Sequence, residues 1–215
     1  MMDIAAKPPL VEHDFFDRAR ARLRLEVPAA LHDLAAPATR GDLDQDPELW
    51  TRAGVTATRP AAVLVPLFER DGEAHVWLAR RPTTMRSHAG QVAFPGGKTD
   101  AQDGSPLETA LREADEELGI PRDAVDVLGP LDEMHTITGF SISPFVGWLS
   151  PGVEVRPNSG EVARAFAAPL AAFLEPPSGI LPWRGWTVDG ELVWGATAWI
   201  LRGFVGILRE LGVER

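Results

Sequence analysis

The sequence predicts an α/β (α+β) fold, in which a mixed β-sheet is sandwiched between α-helices. Two observations lead to this prediction. β-rich segments recur on both sides of one conspicuous amphipathic helix at residues 106–118, and a second amphipathic segment closes the chain. A length of 215 residues allows one domain of this kind together with a sizeable extension.

The first part of the chain, residues 1–55, is predicted to be an N-terminal helical extension and linker, and residues 56–215 the main domain. From residue 9 to 34 the sequence is amphipathic and rich in Arg, Ala and Leu, which is typical of one or two surface helices. A ligand-binding arm is the alternative interpretation. Residues 35–60 are rich in Ala, Pro, Asp and Thr, as linkers are.

The main domain opens with a predicted hairpin. An apolar β-rich run at 61–69 is followed by an Asp-Gly turn and a second strand up to residue 80. Residues 91–94 predict a short strand that ends at a Pro-Gly-Gly sequence. Apolar residues at helical spacing predict the helix at 106–118, with Gly119 just beyond its end.

The rest of the domain is predicted to contain two strands, a helix, a hairpin and a last helix. The strands are expected at 125–134 and 142–149, and a Ser-Pro pair favours an edge or a bulge for the second. Residues 166–174 are expected to be helical. A hairpin at 183–195 and a helix from about Ala196 to Leu211 complete the order.

Composition excludes several classes of function. The chain has no cysteine, so disulfides and thiolate metal sites are absent, which fits a cytoplasmic protein. A net charge of -10 argues against a nucleic-acid binder. The sequence shows neither a membrane-spanning apolar run nor a signal peptide at its start. An acidic protein can still hold a small phosphorylated substrate through divalent cations, which need carboxylate ligands.

Three carboxylates provide a candidate for such a cation site. Glu113, Glu116 and Glu117 stand at i, i+3 and i+4, so a helix presents all three on one face. A solvated acidic helix face is the alternative interpretation. The upstream Gly96 and Gly97 favour the metal site, because glycines let the backbone come close and offer a carbonyl oxygen as a further ligand.

The sequence from Gly97 through Asp103 to the stretch READEELGI (112–120) resembles the Nudix box. The second half of that motif fits at every defined position. The first half departs from it, because Asp103 replaces the usual Glu and stands one residue further from Arg112. This departure concerns the loop and its ion pair with Arg112, so the metal ligands are unaffected.

The resemblance implies a Nudix fold and hydrolysis of a nucleoside diphosphate linked to another moiety, with Mg²⁺ or Mn²⁺ as cofactor. It assigns Glu116, Glu117 and the carbonyl of Gly96 to the metal, and Glu113 to the metal or to the attacking water. Arg112 is implied to pin the loop against the helix. The general base often lies outside the motif in this family. Glu161 is the first candidate and Glu154 the second.

The segment 78–97, LARRPTTMRSHAGQVAFPGG, resembles the signature of the coenzyme A pyrophosphatase branch of the family. Arg81, Arg86 and His88 are the candidate substrate contacts, since guanidinium groups suit phosphate geometry. The alternative is that the segment shapes the loop before the helix, with His88 as a hydrogen-bonding residue in it.

The resemblance predicts hydrolysis of coenzyme A or acyl-coenzyme A to 3′,5′-ADP and a 4′-phosphopantetheine. A broader hydrolase acting on ADP-ribose, NADH or dinucleoside polyphosphates is the first alternative. A non-catalytic binding or regulatory domain is the second, and the intact glutamates speak against it. The predicted partner is a small-molecule substrate, with neither nucleic acid nor membrane, and a homodimer is possible.

Overall fold

The computed structural model describes residues 59–85, 87–136, 138–179 and 185–211. Within these residues the chain forms ten strands: β1 (Arg59–Arg70), β2 (Glu73–Arg80), β3 (Val92–Ala93), β4 (Gly96–Lys98), β5 (Val125–Pro130), β6 (Met134–His135), β7 (Phe140–Leu149), β8 (Arg164–Pro169), β9 (Trp186–Val188) and β10 (Glu191–Val193). Two α-helices, α1 (Pro106–Leu118) and α2 (Gly195–Glu210), and two short 3₁₀ helices at Arg122–Ala124 and Leu170–Phe173 accompany them.

The first eight strands form one mixed sheet. β1 and β7 pair in parallel at its centre, with Arg59 opposite Phe140 and Leu67 opposite Trp148. β2 continues antiparallel from the far end of β1, and β8 pairs with β2. β4 pairs with the first part of β1, so β1 has β4 and then β2 along the same edge. β2 and β4 therefore pair with different stretches of β1, and the short strand β3 between them in the chain pairs with the far end of β2.

Both predicted hairpins are confirmed. Asp71 and Gly72 join β1 to β2 with φ of 54° and 78°, and Asp189 and Gly190 join β9 to β10 with φ of 52° and 76°. Positive φ at both turn residues matches the twist of the strands that the turn connects.

Side-chain alternation along the strands produces two cores, one on each face of the sheet. Ala62 and Leu64 of β1 pack with Ala110, Ala114 and Leu118 of α1. The alternate side chains pack on the opposite face with α2, in a cluster that includes Val65, Leu67, Leu201, Phe204 and Leu208. The predicted arrangement of a mixed sheet between helices is confirmed.

The strand at 142–149 was predicted to lie at an edge or to contain a bulge. The edge position is wrong, and the register shift in its pairing with β5 lies between Val127 and Gly129. β7 lies between β1 and β5. Pro144 is tolerated there because the partner on that side is interrupted: β6 pairs with β7 as far as Ile142, and β5 pairs with it from Phe145. The carbonyl of Pro144 accepts a hydrogen bond from the backbone N–H of Leu131, 2.9 Å.

The prediction of a helix at 166–174 is also wrong. Residues 164–169 form β8, and only the 3₁₀ turn Leu170–Phe173 follows. Alanines favour a helix locally, but six successive residues of β8 pair with β2, and Phe166 and Ala168 enter the core of the sheet. A smaller difference concerns the Pro-Gly-Gly sequence, of which Gly96 and Gly97 belong to strand β4.

The predicted extension and linker, residues 1–55, lie outside the described residues. Neither α1 nor α2 has the length and apolar character that crossing a membrane requires.

Candidate active site

Helix α1 is capped at its start by Ser105 and at its end by Gly119. The Ser105 hydroxyl accepts a hydrogen bond from the backbone N–H of Glu108, 3.2 Å, and the Glu108 carboxylate accepts one from Gly104, 2.7 Å. At the other end Gly119 adopts φ 64° and its N–H reaches back into the last turn. These caps fix where the helix begins and ends, and hence where its glutamates point.

Arg112 ties the loop before the helix to the helix itself. Its Nε and Nη2 donate to the two oxygens of Asp103, at 3.0 and 2.9 Å, and Nη2 also donates to the carbonyl of Lys98, 3.1 Å. This two-pronged contact holds the pKa of Asp103 well below its usual range, and the hydrogen bonds from Arg112 are the main cause. The irregular spacing between Gly97, Asp103 and Arg112 therefore still lets the loop close on the helix.

Thr109 stabilises this ion pair through a hydrogen bond to Asp103. This residue was not predicted from the sequence to belong to the site. It is fully buried, and its hydroxyl donates to Asp103, 2.9 Å, and lies 3.2 Å from the hydroxyl of Thr99. The backbone N–H of Asp100 also donates to Asp103, 2.9 Å. A polar residue at a core-facing helix position was the signal for Thr109, because such a residue needs a partner.

Glu113 lies against β4. Its carboxylate occupies the space that a side chain at Gly97 would fill, so a larger residue there would displace that carboxylate. Nη1 of Arg112 donates to Glu113, 3.0 Å, and to Glu116, 2.9 Å. Burial raises the pKa of Glu113 although the Arg112 charge opposes it. Glu116 is half exposed, at 54% of its side chain.

Glu117 is the most deeply buried of the three glutamates, with 5% of its side chain exposed. Its Oε2 accepts a hydrogen bond from the N–H of Gly96, 3.2 Å, and its Oε1 lies 3.5 Å from Nη1 of Arg81. Burial raises its pKa to about 7, and the hydrogen bond from Gly96 and the charge of Arg81 offset this only in part. A carboxylate so placed gains from a cation beside it.

The three glutamates fit a divalent cation in kind, since Mg²⁺ and Mn²⁺ prefer carboxylate oxygens. Among the described residues no three Asp, Glu or His side chains already surround one ion position. The reason is visible: Glu113 and Glu116 turn to Arg112, and Glu117 turns to Gly96 and Arg81. Side-chain rotations on a fixed helix have to bring them together on a cation.

Glu161 lies near these glutamates, in the segment that precedes β8. Its negative charge contributes to raising the pKa of both Glu113 and Glu117. Its own carboxylate accepts a hydrogen bond from Asn158, 3.4 Å, and the backbone N–H of Asn158 donates to the carbonyl of Glu117, 2.9 Å. Glu154 instead pairs with Arg156 in solvent, 2.9 Å.

The candidate substrate residues are distributed between β2 and β3. Arg81 reaches Glu117, as described above. His88 adopts φ 56° and its Nδ1 lies 2.9 Å from Oε1 of Gln91, so its visible contact is within the loop. Arg86 lies outside the described residues.

A cavity of about 210 Å³ lies elsewhere, towards the far end of β1. Its lining includes Phe68, Trp77 and Pro151. None of the predicted site residues contributes to it, so we assign it no part in the chemistry.

Comparison with known proteins decides the family. The NUDIX domain family matches residues 58–187, a range that contains α1, β4 and Glu161. The chain belongs to the Nudix family. The match covers the loop and helix whose geometry is given above, and it confirms the predicted fold class.

Relatives in the Nudix family cover most of the chain. A protein of Cronobacter sakazakii described as an uncharacterized Nudix hydrolase NudL is 42% identical over 167 residues, which are 73% of this chain and 82% of that protein. The NudL of Escherichia coli K12 is 39% identical with the same coverage.

Solved structures show the same fold. A Caenorhabditis elegans Ap4A hydrolase binary complex has a TM-score of 0.52 at 17% identity and covers 71% of this chain and 99% of that one. The Nudix domain of Shewanella oneidensis NrtR, complexed with ADP-ribose, has a TM-score of 0.51 at 17% identity and covers 77% and 97%.

Family membership establishes the class of reaction. This Nudix protein is a pyrophosphohydrolase that acts on nucleoside diphosphate derivatives, and enzymes of the family generally use divalent cations such as Mg²⁺.

Proposed function

We propose that the enzyme hydrolyses the pyrophosphate bond of coenzyme A or acyl-coenzyme A, using Mg²⁺ or Mn²⁺. The products are 3′,5′-ADP and 4′-phosphopantetheine or its acyl form. The observation that carries the proposal is the segment 78–97, which resembles the signature of the coenzyme A pyrophosphatase branch and runs from β2 to β4.

The position of Arg81 supports this assignment. Its guanidinium lies 3.5 Å from Glu117 and 25% of its side chain is exposed, so it borders both the carboxylates and solvent. Its Nε is buried without a hydrogen-bond partner. A substrate phosphate beside Arg81 would provide that partner, and guanidinium groups bind phosphate oxygens well. Arg86 and His88 are proposed as further substrate contacts on the same segment.

Glu113, Glu116, Glu117 and the carbonyl of Gly96 are proposed to hold the cation. When bound, the cation lowers the pKa of a coordinated water and neutralises charge on the pyrophosphate. Arg112 keeps Glu113 and the loop in place through its bonds to Asp103 and Lys98. Glu161 is proposed as the general base, because its negative charge is near enough to raise the pKa of both Glu113 and Glu117.

The reaction adds one water across the P–O–P bridge. The water oxygen forms a bond to one phosphorus, and the bond from that phosphorus to the bridging oxygen breaks. One proton of the water passes to Glu161 as the oxygen attacks, and the bridging oxygen leaves as part of the second phosphate. Glu161 then returns its proton to solvent.

A substrate panel with added Mg²⁺ or Mn²⁺ tests the proposal. Coenzyme A, acetyl-coenzyme A, ADP-ribose, NADH and a dinucleoside polyphosphate are incubated separately, and the products are separated by chromatography. We expect coenzyme A or acyl-coenzyme A to give the highest kcat/KM and to yield 3′,5′-ADP. Turnover of ADP-ribose or a dinucleoside polyphosphate without turnover of coenzyme A would refute it and favour a broader hydrolase.

A homodimer remains part of the proposal. Light scattering behind size exclusion measures the molar mass directly, and a mass of one chain at micromolar concentration contradicts it.

A further inference from the structure

Arg81 supplies the positive charge beside the most deeply buried glutamate of the site. Its Nη1 lies 3.5 Å from Oε1 of Glu117, whose Oε2 accepts a hydrogen bond from the N–H of Gly96, 3.2 Å. Within the described part of the chain, the ion pair of Glu117 is with Arg81 alone. A buried carboxylate needs such a counter-charge, so this guanidinium stabilises the protein when no cation is bound.

The contact between Arg81 and Glu117 is looser than the contacts of the second arginine in the site. Arg112 makes five hydrogen bonds of 2.9 to 3.1 Å to other described residues. The 3.5 Å between Arg81 and Glu117 is at the long limit for a hydrogen bond, since charge-assisted bonds are normally about 2.7–2.9 Å. Arg112 is therefore fixed by its partners, whereas the Arg81 guanidinium is free to leave Glu117.

The backbone of Arg81 is held more firmly than its side chain. Its N–H donates to the carbonyl of Gln91, 3.0 Å, directly after Arg80 pairs with Val92 in the sheet. The Nε of Arg81 is buried and has no hydrogen-bond partner among the described residues, and 25% of the side chain is exposed. A fixed backbone with a partly satisfied guanidinium lets the side chain change its partner without any movement of the sheet.

The two ligands of the reaction act on this guanidinium in opposite ways. A divalent cation on Glu117 repels Arg81, because two positive groups would then share one carboxylate. A phosphate beside Arg81 attracts the guanidinium and provides a partner for its Nε. Binding of the cation therefore releases the group that a phosphate can use.

We propose that Arg81 is the counter-charge of Glu117 in the metal-free enzyme and moves to a substrate phosphate when the cation binds. Since one side chain serves the two ligands in turn, the cation and the nucleotide strengthen the binding of each other. The inference rests on the proposed function for Glu117 as a cation ligand and Arg81 as a phosphate contact. It applies to any nucleoside diphosphate derivative and does not depend on coenzyme A as the substrate.

Titration with Mg²⁺ alone tests the competition for Glu117. Calorimetry without nucleotide compares the wild type, Arg81→Gln, the charge-retaining Arg81→Lys, and Arg156→Gln, an exposed arginine whose backbone is bonded to the end of α1. We expect Mg²⁺ to bind Arg81→Gln about fivefold tighter or more than the wild type, because the competing positive group is gone. Arg81→Lys and Arg156→Gln should stay within about twofold of the wild type. Unchanged or weaker Mg²⁺ binding by Arg81→Gln overturns the proposal.

Thermal unfolding in EDTA at pH 8 tests the counter-charge itself. Arg81→Gln should lower the melting temperature by about 2 °C or more in the wild-type background and leave it nearly unchanged in the Glu117→Gln background, where no charge needs neutralising. An equal loss in both backgrounds contradicts the pairing. A single variant that fails to fold beside a double variant that folds supports it.

A nucleotide that cannot be hydrolysed tests the change of partner. α,β-Methylene-ADP has a P–C–P bridge, and its binding to the wild type and Arg81→Gln is measured by calorimetry at saturating Mg²⁺ and by thermal shift in EDTA. We expect Arg81→Gln to weaken binding about tenfold or more with Mg²⁺, because a charge-assisted contact is lost. In EDTA the two proteins should respond equally, since Arg81 then stays on Glu117. A loss of the same size in EDTA overturns the exchange.

The proposed function fails in a different way. A wild type that binds Mg²⁺ no more tightly than Glu117→Gln overturns the metal assignment. Hydrolysis of another nucleoside diphosphate derivative in place of coenzyme A overturns the proposed substrate and leaves the exchange of Arg81 intact.

Discussion

Asp103 and Arg112 form the contact on which the loop before α1 depends. The Asp103 side chain is 4% exposed and Arg112 is 19% exposed, so the pair is largely removed from water. Removal of one partner from a buried pair leaves the other charge unsatisfied, which is more costly than the loss of a surface ion pair. The stability of the loop and the orientation of Glu113 are therefore linked through one guanidinium.

Asp103→Asn tests this link. We expect the free energy of unfolding to fall by about 3 kcal/mol at pH 7, because Arg112 loses its buried counter-charge. The lowered pKa of Asp103 means that its contribution is present above the unfolded-state pKa near 4 and is lost as the pH falls below it. Denaturant unfolding at pH 7 and pH 3 should show a smaller difference between variant and wild type at pH 3. A difference that grows in acid contradicts the assignment.

Glu117→Gln should separate stability from activity. The pKa of Glu117 is about 7 because of burial, so its charge destabilises the metal-free protein as the pH rises from about 4 through 7. Glutamine removes that charge. We expect the melting temperature in EDTA at pH 8 to rise by about 3 °C and kcat/KM to fall by about 100-fold or more. Calorimetry and a rate assay measure both, and a variant with unchanged rate refutes the metal assignment.

At the scale of the elements, α1 and β4 act as one unit. Gly97 in β4 leaves room for the Glu113 carboxylate, and the backbone carbonyl of Lys98 accepts a hydrogen bond from Arg112. The helix is capped by Ser105 and Gly119 and buries Ala110 and Ala114. The rigid pairing of a strand and a helix thus sets the geometry of the carboxylates.

Gly97→Ala should disturb this unit. Its added methyl group takes the place of the Glu113 carboxylate, so we expect Mg²⁺ affinity and kcat/KM to fall about tenfold to 100-fold, while the fold persists. Gly203→Ala is the matched control, because Gly203 lies in α2 with open space at its Cβ position. The control should gain roughly 0.5–1 kcal/mol of stability and keep its rate. Equal kcat/KM for the two variants would show that the geometry of the Glu113 carboxylate does not depend on a glycine at position 97.

The segment 153–163 is the element that brings Glu161 near the glutamates of α1. Its backbone is attached to the end of α1, where Leu118 and Glu117 accept hydrogen bonds from Arg156 and Asn158, 2.8 and 2.9 Å. Glu161→Gln should lower kcat by about 10²-fold to 10⁴-fold with little change in KM, as expected for a general base. Glu154→Gln, an exposed neighbour, is the control. A similar fall in kcat in both variants, or no fall in Glu161→Gln, excludes Glu161 as the general base.

At the scale of the whole molecule, sequence patterns predicted the local features and missed those that depend on distant partners. The α1 helix, both Asp-Gly hairpins and α2 have strong local signals, and all of them are present. β8 was missed because its alanines favour a helix and only its pairing with β2 reverses that preference. β7 was predicted to lie at an edge or to contain a bulge because of Pro144, and the gap that accommodates this proline inside the sheet depends on where β5 and β6 pair.

The same division applies to the candidate site. The helical spacing of Glu113, Glu116 and Glu117 predicted a shared face, and the motif predicted the loop. Neither predicted that Arg81 would lie beside Glu117, since the two residues are 36 positions apart and meet only through the sheet. Arg59 and Phe140 are further apart in sequence, and only the parallel pairing of β1 and β7 makes them neighbours.

That parallel pairing has a consequence for how the enzyme folds. The part of the chain that carries β4 and α1 lies between β1 and β7 in the sequence. The ladder between these two strands cannot be complete until residues up to Trp148 have been synthesised. Closing so long a loop is slow and entropically costly. The stabilising contacts that offset this cost form only when β1 and β7 have paired. The carboxylates should therefore assemble late and together with the sheet, so that loss of Mg²⁺ binding and loss of β-structure follow one unfolding transition.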